Sequence, residues 1–338
     1  MTESTAGPEH AVVREIVRRR LAGITGNSPQ PKGDVKLGLV VEGGGMRGVY
    51  SGGVLVAMEQ FGLTDVFDEV YGESAGAINS CYFLAGQAKF GSAIYLDDLT
   101  SFKFVNPFRI GKILDLDYAI DVVVRSVKPL DVERVLASHS GLHVAMTNAL
   151  TGEPRLVDAK KEGIPLLTLL KASGAIAPLY NRPVRINGTA YVDGGITNPI
   201  PVGSAIEGGC THILVLLTRP PSFVSPGYNA IEQFFMAPLF RSWTPAFVKV
   251  FYEQQHRQYN ATRKLAFGKS GGPGVSIAVI GPADNSPAVS RATISRRRLK
   301  AAMDDAMQKT REVFAELRGG RAGVDDPAKG RRSLGDAR

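Results

Sequence analysis

The sequence predicts an α/β fold in which a mostly parallel sheet is covered by helices on both faces. Two observations indicate this class. Continuous apolar runs rich in β-branched residues recur between turn residues, as expected of strands buried on both faces. Segments with helical spacing of apolar residues follow these runs, and strands that alternate with helices are typical of parallel sheets. With 338 residues, of which 44% are hydrophobic, the chain is long enough to bury a sizeable core.

The predicted elements begin with a short amphipathic segment over 11–24 and a Gly/Pro-rich linker over 27–34. Two strand–loop–helix units follow, in this order: strand 35–41, loop 43–48, helix 49–62, strand 66–72, a sharp turn at Ser74 and helix 75–86. The later elements are strand 141–150, helix 165–173, hairpin 184–192, helix 202–207, strands 212–218 and 275–281, and a charged helix near 291–317. The hairpin is indicated by Asn187 and Gly188, the preferred pair of a type I′ turn.

Four segments are expected along the chain. They are an N-terminal appendage and linker (1–34), an α/β core (35–218), an aromatic-rich and helical C-terminal region that completes the fold (219–317) and a disordered basic tail (318–338). Nine of the 26 aromatic residues lie between Phe223 and Tyr252, interspersed with prolines. This density has two interpretations, a lid or channel for an apolar ligand and the packed core of a C-terminal subdomain.

The net charge of +8, from 40 Lys+Arg and 32 Asp+Glu, suits an anionic partner such as a phospholipid surface. Basic clusters at 18–20 and 296–298 could meet anionic lipid, although solvated helix faces are the simpler interpretation. Cys81 and Cys210 match no metal-binding or redox spacing, so we expect a reducing compartment and no metal site. The polar N-terminus and the lack of a long apolar run predict a cytoplasmic protein, peripheral at the membrane at most.

A candidate nucleophile lies on the second predicted turn. Gly72, Glu73, Ser74, Ala75 and Gly76 form a G-x-S-x-G pattern between a predicted strand and a predicted helix. A serine on such a turn is pushed out of the sheet surface, and the N-terminus of the following helix would stabilise negative charge beside it by about 1–2 kcal/mol. The pattern is also compatible with a glycine-lined helix start that a serine caps.

A second glycine-rich loop joins the first predicted strand to its helix and consists of Gly43, Gly44, Gly45, Met46, Arg47 and Gly48. As a G-x-G-x-x-G pattern it would bind a dinucleotide, which would make the chain an oxidoreductase. As an oxyanion loop it would direct backbone N–H groups at a tetrahedral intermediate, each contributing ~3 kcal/mol. A dinucleotide site needs an acid at the end of the next strand. That strand is predicted to end at Gly72, with Asp65 and Asp68 at its other end, so we favour the oxyanion loop.

A serine hydroxyl needs a base before it can act as a nucleophile. The five histidines are His10, His139, His143, His212 and His256. His212 opens a predicted strand and His256 lies within a predicted helix, so neither has the late-loop setting of a catalytic histidine. Asp193 closes a hairpin strand before Gly194 and Gly195, which leaves its carboxylate at a strand end. Because the usual Asp pKa of ~3.9 poorly matches a hydroxyl, an Asp base would need desolvation, the helix N-terminus and the oxyanion donors together.

In their order along the chain, GGGMRG, GESAG and DGG resemble the motifs of the patatin-like phospholipase family. Residues 172–178 (ASGAIAP) are similar to a block that the family has between the last two motifs. The resemblance spans about residues 36–218, and the chain looks like the family's bacterial single-domain branch with an additional C-terminal region. It implies a three-layer catalytic core that hydrolyses lipid acyl esters through an acyl-serine, without a metal or other cofactor.

Position by position, the resemblance implies Ser74 as the nucleophile and Asp193 as its only catalytic partner. It assigns the oxyanion hole to 43–45 together with Ala75, and Arg47 occupies the family's usual Lys/Arg position. The expected partner is a lipid ester; no nucleic acid and no obligate protein partner are expected. The alternatives are a nucleotide-binding oxidoreductase and a non-catalytic lipid-binding protein.

Overall fold

The sheet of the computed structural model has eight strands, and the structure describes residues 8–25, 35–268 and 271–317. The strands are β1 (Leu37–Val41), β2 (Glu69–Glu73), β3 (Gly141–Asn148), β4 (Pro154–Asp158), β5 (Val184–Ile186), β6 (Thr189–Asp193), β7 (His212–Leu216) and β8 (Ser276–Ile280). Their order is β5-β6-β3-β2-β1-β7-β8, with β4 also paired to β3. The run from β3 to β8 is parallel, whereas β4, β5 and β6 pair antiparallel.

The helices cover both faces of this sheet. They are α1 (Pro8–Ala22), α2 (Gly48–Gln60), α3 (Ala75–Leu84), α4 (Ala88–Ser92), α5 (Ile94–Asp97), α6 (Val132–Ala137), α7 (Leu166–Gly174), α8 (Val202–Glu207), α9 (Ala230–Met236), α10 (Pro245–Lys249), α11 (Gln255–Phe267) and α12 (Arg296–Val313). Short 3₁₀ turns span Gly45–Arg47, Gly194–Ile196 and Ala237–Phe240, and π-helical segments span Tyr118–Val127 and Val250–Gln254. Within the described ranges, none of these helices has the length and apolar character needed to cross a bilayer.

Two apolar cores lie on opposite faces of the sheet because successive residues of a strand point to opposite sides. Leu39 faces the larger core, to which α1, α2, α3, α7 and α12 contribute, and Val40 faces the smaller one, which α8 and α11 cover. The predicted fold class, a mostly parallel sheet between two helical layers, is therefore confirmed. The hairpin is also present, as the antiparallel pair β5 and β6.

Most predicted elements agree with the structure to within a few residues, with one consequential difference. Strand β2 ends at Glu73 rather than at Gly72, because Glu73 still pairs with Ala145 of β3. On the other side of β3, Asp193 pairs with Met146, so the last residues of β2 and β6 flank adjacent positions of one strand. The linker predicted over 27–34 and the basic tail predicted over 318–338 lie outside the described residues.

The N-terminal helix is more closely integrated than an appendage. Val12 and Ile16 of α1 are fully buried in the larger core. Arg19 is also fully buried, where its guanidinium contacts the carboxylates of Glu15 and Asp68, both at 2.9 Å. The solvated face expected for the cluster at 18–20 is therefore wrong for Arg19, which joins α1 to the loop before β2.

The aromatic segment divides between core and surface. Phe240, Phe247 and Phe251 are buried and pack against one another, with the rings of Phe240 and Phe251 4.8 Å apart. Phe234 and Phe235 are three-quarters exposed. The core interpretation therefore holds for the three buried rings.

Candidate active site

Ser74 occupies a strained turn between β2 and α3. Its φ of 54° and ψ of −130° lie in a region that residues with a Cβ rarely adopt. Close approach of the neighbouring loops leaves no room for side chains, since a Cβ on Gly43 would lie 2.8 Å from Ser74 Cβ and one on Gly76 2.1 Å from the Val41 carbonyl oxygen. The glycines of both motifs thus let the turn with Ser74 pack tightly against the end of β1.

Ser173, near the end of α7, ties this turn to the sheet. Its hydroxyl accepts a hydrogen bond from the Ser74 N–H at 2.8 Å and donates one to the Ala145 carbonyl oxygen at 2.6 Å. Both serines are buried. In the sequence, Ser173 stands out only as part of the ASGAIAP block, because nothing local to it reveals a contact with a turn 99 residues earlier.

Asp193 lies beside Ser74 and is equally fixed. Its Oδ1 accepts the Gly195 N–H at 2.7 Å, and its carbonyl oxygen accepts the Thr147 hydroxyl at 2.9 Å. Burial raises the pKa of the Asp193 carboxyl, although the Ser74 hydroxyl, the Gly195 N–H and the charges of Arg291 and Arg47 act in the opposite direction. Oδ2 is buried and has no hydrogen bond of ordinary geometry within the described ranges. Ser74 and Asp193 are therefore adjacent, and the Ser74 hydroxyl is close enough to the carboxyl to act on its pKa.

The glycine-rich loop offers backbone donors to the same place, with one exception. The Gly43 N–H is already bonded to Glu73 Oε1 at 2.8 Å, so it cannot serve an oxyanion in this conformation. The N–H groups of Gly44, Gly45 and Ala75 have no hydrogen-bond partner in the described part of the chain. These three are the remaining candidates for an oxyanion hole, and the expected contribution of Gly43 is corrected to a structural one.

Two buried glutamates, which sequence reasoning did not single out, hold this loop. Besides its bond to Gly43, Glu73 has a buried Oε2 without a partner among described residues, and burial raises the pKa of its carboxyl well above the usual range. Glu42 accepts the hydroxyl of Tyr259 at 2.7 Å and the N–H of Thr218. Glu73 is an acid at the end of the second strand, the position that a dinucleotide site requires, but its bond to Gly43 makes it part of the loop rather than a free ribose ligand.

Two cavities adjoin Ser74, and a third shares part of its wall with one of them. A small one contains Ser74 and Asp193 together with Gly44 and Glu73. An almost entirely apolar one adjoins Ser74 and Ala75, and its walls come from the segments around Ile78, Phe104 and Leu116. The third holds about 200 Å³ and is lined by Arg47, Arg219 and Arg291. Ser74 therefore lines the apolar cavity and the small one, and the small one shares Arg47 and Arg291 with the cationic cavity.

The histidines stay outside this arrangement. No histidine lines the cavity with Ser74 and Asp193, as far as the described ranges extend. His143 bonds Glu69 at 2.8 Å and stacks on Tyr71, and His212 contacts the neighbouring Thr211. His256 lines the arginine-lined cavity instead. The structure thus brings together Ser74, Asp193 and the glycine loop, but no histidine base.

Comparisons with known proteins agree with this geometry. Residues 39–206 match the model of the patatin-like phospholipase family. Over 208 residues the chain is 30% identical to the uncharacterized protein YjjU of Escherichia coli (strain K12). The matched region covers 59% of this chain and 57% of YjjU.

Two solved structures are similar at 15% identity. The match to VipD from Legionella pneumophila has a TM-score of 0.40 and covers 82% of this chain and 66% of VipD. The other structure is human GIVD cytosolic phospholipase A2 in complex with methyl gamma-linolenyl fluorophosphonate and terbium chloride. This match has a TM-score of 0.39 and covers 92% of this chain and 63% of that one. The chain spans about two thirds or less of the length of each relative. Its match over residues 39–206 shows that it belongs to the patatin-like phospholipase family.

Proposed function

We propose that this chain is a serine lipid acyl hydrolase of the phospholipase or lysophospholipase type. The observation that carries the proposal is the position of Ser74. It lies on a strained turn beside the buried carboxylate of Asp193, next to backbone N–H groups without partners among the described residues, and on the wall of an apolar cavity. A nucleophile, a base, oxyanion donors and a place for an apolar chain therefore adjoin one point.

The proposed reaction proceeds through an acyl-serine. Asp193 accepts the Ser74 hydroxyl proton as Oγ attacks the ester carbonyl, and the N–H groups of Gly44, Gly45 and Ala75 stabilise the oxyanion. The intermediate collapses with cleavage of the ester C–O bond, and the departing alcohol takes the proton from Asp193. Water, deprotonated by the same carboxylate, then attacks the acyl-serine, which releases the fatty acid and restores the Ser74 hydroxyl.

The apolar cavity is the proposed site of the acyl chain. Residues from the segments 78–124 and 174–180 line it, besides the glycine loop and the turn with Ser74. None of its lining residues belongs to the aromatic segment over 223–252. The expectation that this segment forms an acyl channel is therefore not supported. Phe223 and Tyr228 line the arginine-lined cavity instead.

Hydrolysis by two variants tests the proposal. Ser74→Ala removes the nucleophile, and we expect fatty-acid release from short-chain phospholipid, lysophospholipid and acylglycerol to fall by at least ~10³-fold. Asp193→Asn removes the base, and we expect a loss of about 10²–10⁴-fold. Ser80→Ala, a buried serine that bonds only the Gly76 carbonyl within α3, is the matched control. Wild-type turnover by Ser74→Ala would refute the assignment.

Contact with a membrane surface is proposed for the loop between α5 and the π-helical segment. Phe108 and Ile110 at its tip are 86% and 87% exposed, and the exposed Lys103 lies nearby. Phe104 and Leu114, within the same loop, line the apolar cavity. An apolar tip with a basic neighbour suits anionic lipid. The same loop therefore contributes both to the proposed membrane contact and to the wall of the proposed acyl site.

Vesicle sedimentation tests this contact. Replacing both Phe108 and Ile110 by serine should weaken binding to anionic phospholipid vesicles by about 10-fold or more, because each loses ~1.5–3 kcal/mol of burial in lipid. Hydrolysis of a water-soluble ester should persist. Leu21→Ser, which changes a 69% exposed apolar residue on α1 at the β8 side of the sheet, is the control. Equal vesicle binding by the double variant and the wild type would exclude this loop as the contact.

A further inference from the structure

Three arginines from distant parts of the chain converge on the cavity beside the candidate active site. Arg47 ends the 3₁₀ turn of the glycine loop, Arg219 follows β7, and Arg291 precedes α12. The Met46 N–H donates to the Arg291 carbonyl oxygen at 3.1 Å, which fixes that late segment against the glycine loop. The guanidinium of Arg219 stacks 4.1 Å from the centre of the Phe223 ring. These three residues are called the arginine cluster below.

Within the described ranges, no carboxylate forms an ion pair with the arginine cluster. Arg47 is 5% exposed, and the Nε atoms of all three arginines are buried without hydrogen-bond partners among the described residues. The Nδ1 atom of His256, on the wall of the same cavity, is buried and unpartnered too. Burial, followed by the repulsion of Arg291 and Arg219, lowers the pKa of Arg47 to about 9. A group of buried donors without acceptors is the expected state of a site whose ligand is an anion.

Two carboxylates near the arginine cluster have hydrogen-bond partners of their own. Glu42, the acid whose charge acts on Arg47 and Arg219, accepts hydrogen bonds from Tyr259 and Thr218 with its two oxygens. Glu232, also on the cavity wall, accepts the Asn229 N–H at 2.9 Å and so caps α9. Neither carboxylate forms an ion pair with the arginine cluster within the described ranges.

The cavity is continuous with the proposed reaction centre. Arg47, Arg291 and Tyr259 line both the arginine-lined cavity and the small cavity that contains Ser74 and Asp193. The apolar cavity also reaches Ser74, and none of the three arginines lines it. An ester whose carbonyl carbon is at Ser74 Oγ would therefore have its acyl chain on the apolar side and its alcohol portion towards the arginine cluster.

We propose that the arginine cluster binds a phosphate group on the alcohol portion of the substrate, and that the chain prefers acyl esters with a phosphate monoester to those with a phosphocholine or an uncharged headgroup. This inference rests on the proposed function. Guanidinium groups match phosphate oxygens in bidentate geometry, and a dianion offers more acceptors and charge than a phosphodiester. A choline cation would lie close to three positive charges, which disfavours it.

The selectivity of hydrolysis tests the proposal. The full chain is assayed on short-chain diacylglycerol phosphate, the matching phosphocholine lipid and the matching diacylglycerol, in the same non-ionic detergent micelles. We expect kcat/KM for the phosphate monoester to exceed that for diacylglycerol by at least ~10-fold. Arg219→Gln and Arg291→Gln should each lower this ratio by about 10–100-fold, as expected for the loss of a charged hydrogen bond. Arg257→Gln, an exposed arginine on α11, should leave the ratio as in the wild type.

A binding experiment distinguishes a lipid headgroup from free phosphate as the ligand of the arginine cluster. Calorimetry with inorganic phosphate should show binding to the wild type that is weakened in Arg219→Gln, and phosphate should compete with the monoester lipid. An unchanged ratio in both arginine variants, with hydrolysis of all three lipids intact, would overturn the inference and leave the proposed function standing. Phosphate binding at the arginines without any lipid selectivity would likewise overturn it, in favour of a free-anion site. Absence of hydrolysis of every ester would instead contradict the proposed function itself.

Discussion

At the scale of single residues, the proposed chemistry depends on how the protein controls the Asp193 carboxyl. Burial raises its pKa, which makes it a better match to a hydroxyl proton, while Arg291 and Arg47 keep the carboxylate form accessible. In the proposed reaction only the carboxylate accepts the Ser74 proton, so we expect activity above the Asp193 pKa and its loss as the pH falls through that pKa.

The expected loss of activity at low pH leads to a prediction for the pH profile. The acid limb of the kcat/KM profile should lie above the pH at which an ordinary aspartate titrates, ~3.9. Arg291→Gln removes a positive charge that favours the carboxylate, so its acid limb should move to higher pH by up to about one unit. Profiles on a water-soluble, uncharged ester measure both effects, with Arg257→Gln as control. A limb that moves to lower pH in Arg291→Gln would contradict this account of Asp193.

Ser173 gives a second prediction at this scale. Ser173→Ala leaves the Ser74 N–H and the Ala145 carbonyl oxygen without their bridging hydroxyl, so the turn with Ser74 loses its fixed orientation. We expect kcat to fall by about 10–100-fold, with KM little changed, since misplacement of the reacting group acts mainly on the chemical step. Steady-state kinetics of Ser173→Ala and Ser80→Ala measure this, and equal kcat values in the two variants would remove the positioning role.

The candidate residues divide by the range of their contacts. Ser74 and Asp193 stand in local patterns of glycines at strand ends, so the sequence could single them out. Ser173, Glu42 and the late arginines act through partners far along the chain, as in the contact between Glu42 and Tyr259, 217 residues apart. No local pattern encodes such contacts, which arise only when the sheet is assembled.

At the scale of secondary-structure elements, the apolar runs predicted the central strands because these strands are buried on both faces and read as continuous hydrophobic segments. The packing of α1 was not predicted, since the amphipathic pattern of 11–24 does not reveal which surface the helix meets. Arg19 supplies that contact, donating to the carbonyl oxygens of Val66 and Val35 besides its two carboxylate partners.

A stability prediction follows for α1. Arg19→Met leaves Glu15 and Asp68 without their buried cation, and we expect the free energy of unfolding to fall by about 3–5 kcal/mol. Arg18→Ala also removes a partner of Glu15, but the Arg18 side chain is half exposed, so we expect a loss of at most ~1 kcal/mol. Denaturant unfolding of both variants measures the difference. Equal losses would mean that the buried ion pair does not anchor α1.

At the scale of the whole molecule, the site depends on parts of the chain beyond the segment that carries the motifs. Arg219, Tyr259 and Arg291 all follow β7, and Tyr259 bonds the residue that precedes the glycine loop. From the sequence, this C-terminal region is expected to complete the fold. In the structure it also contributes Arg219 and Arg291 to the cationic cavity, while residues of the core line the apolar one.

The most direct test of the central claim is the mass of the intact protein, with peptide mapping, after treatment with a lipid-like fluorophosphonate. The account predicts one adduct, located on Ser74, absent from Ser74→Ala and formed more slowly in Asp193→Asn, with Ser80→Ala labelled as the wild type. A folded wild type that forms no adduct, or an adduct on another residue that persists in Ser74→Ala, would contradict it.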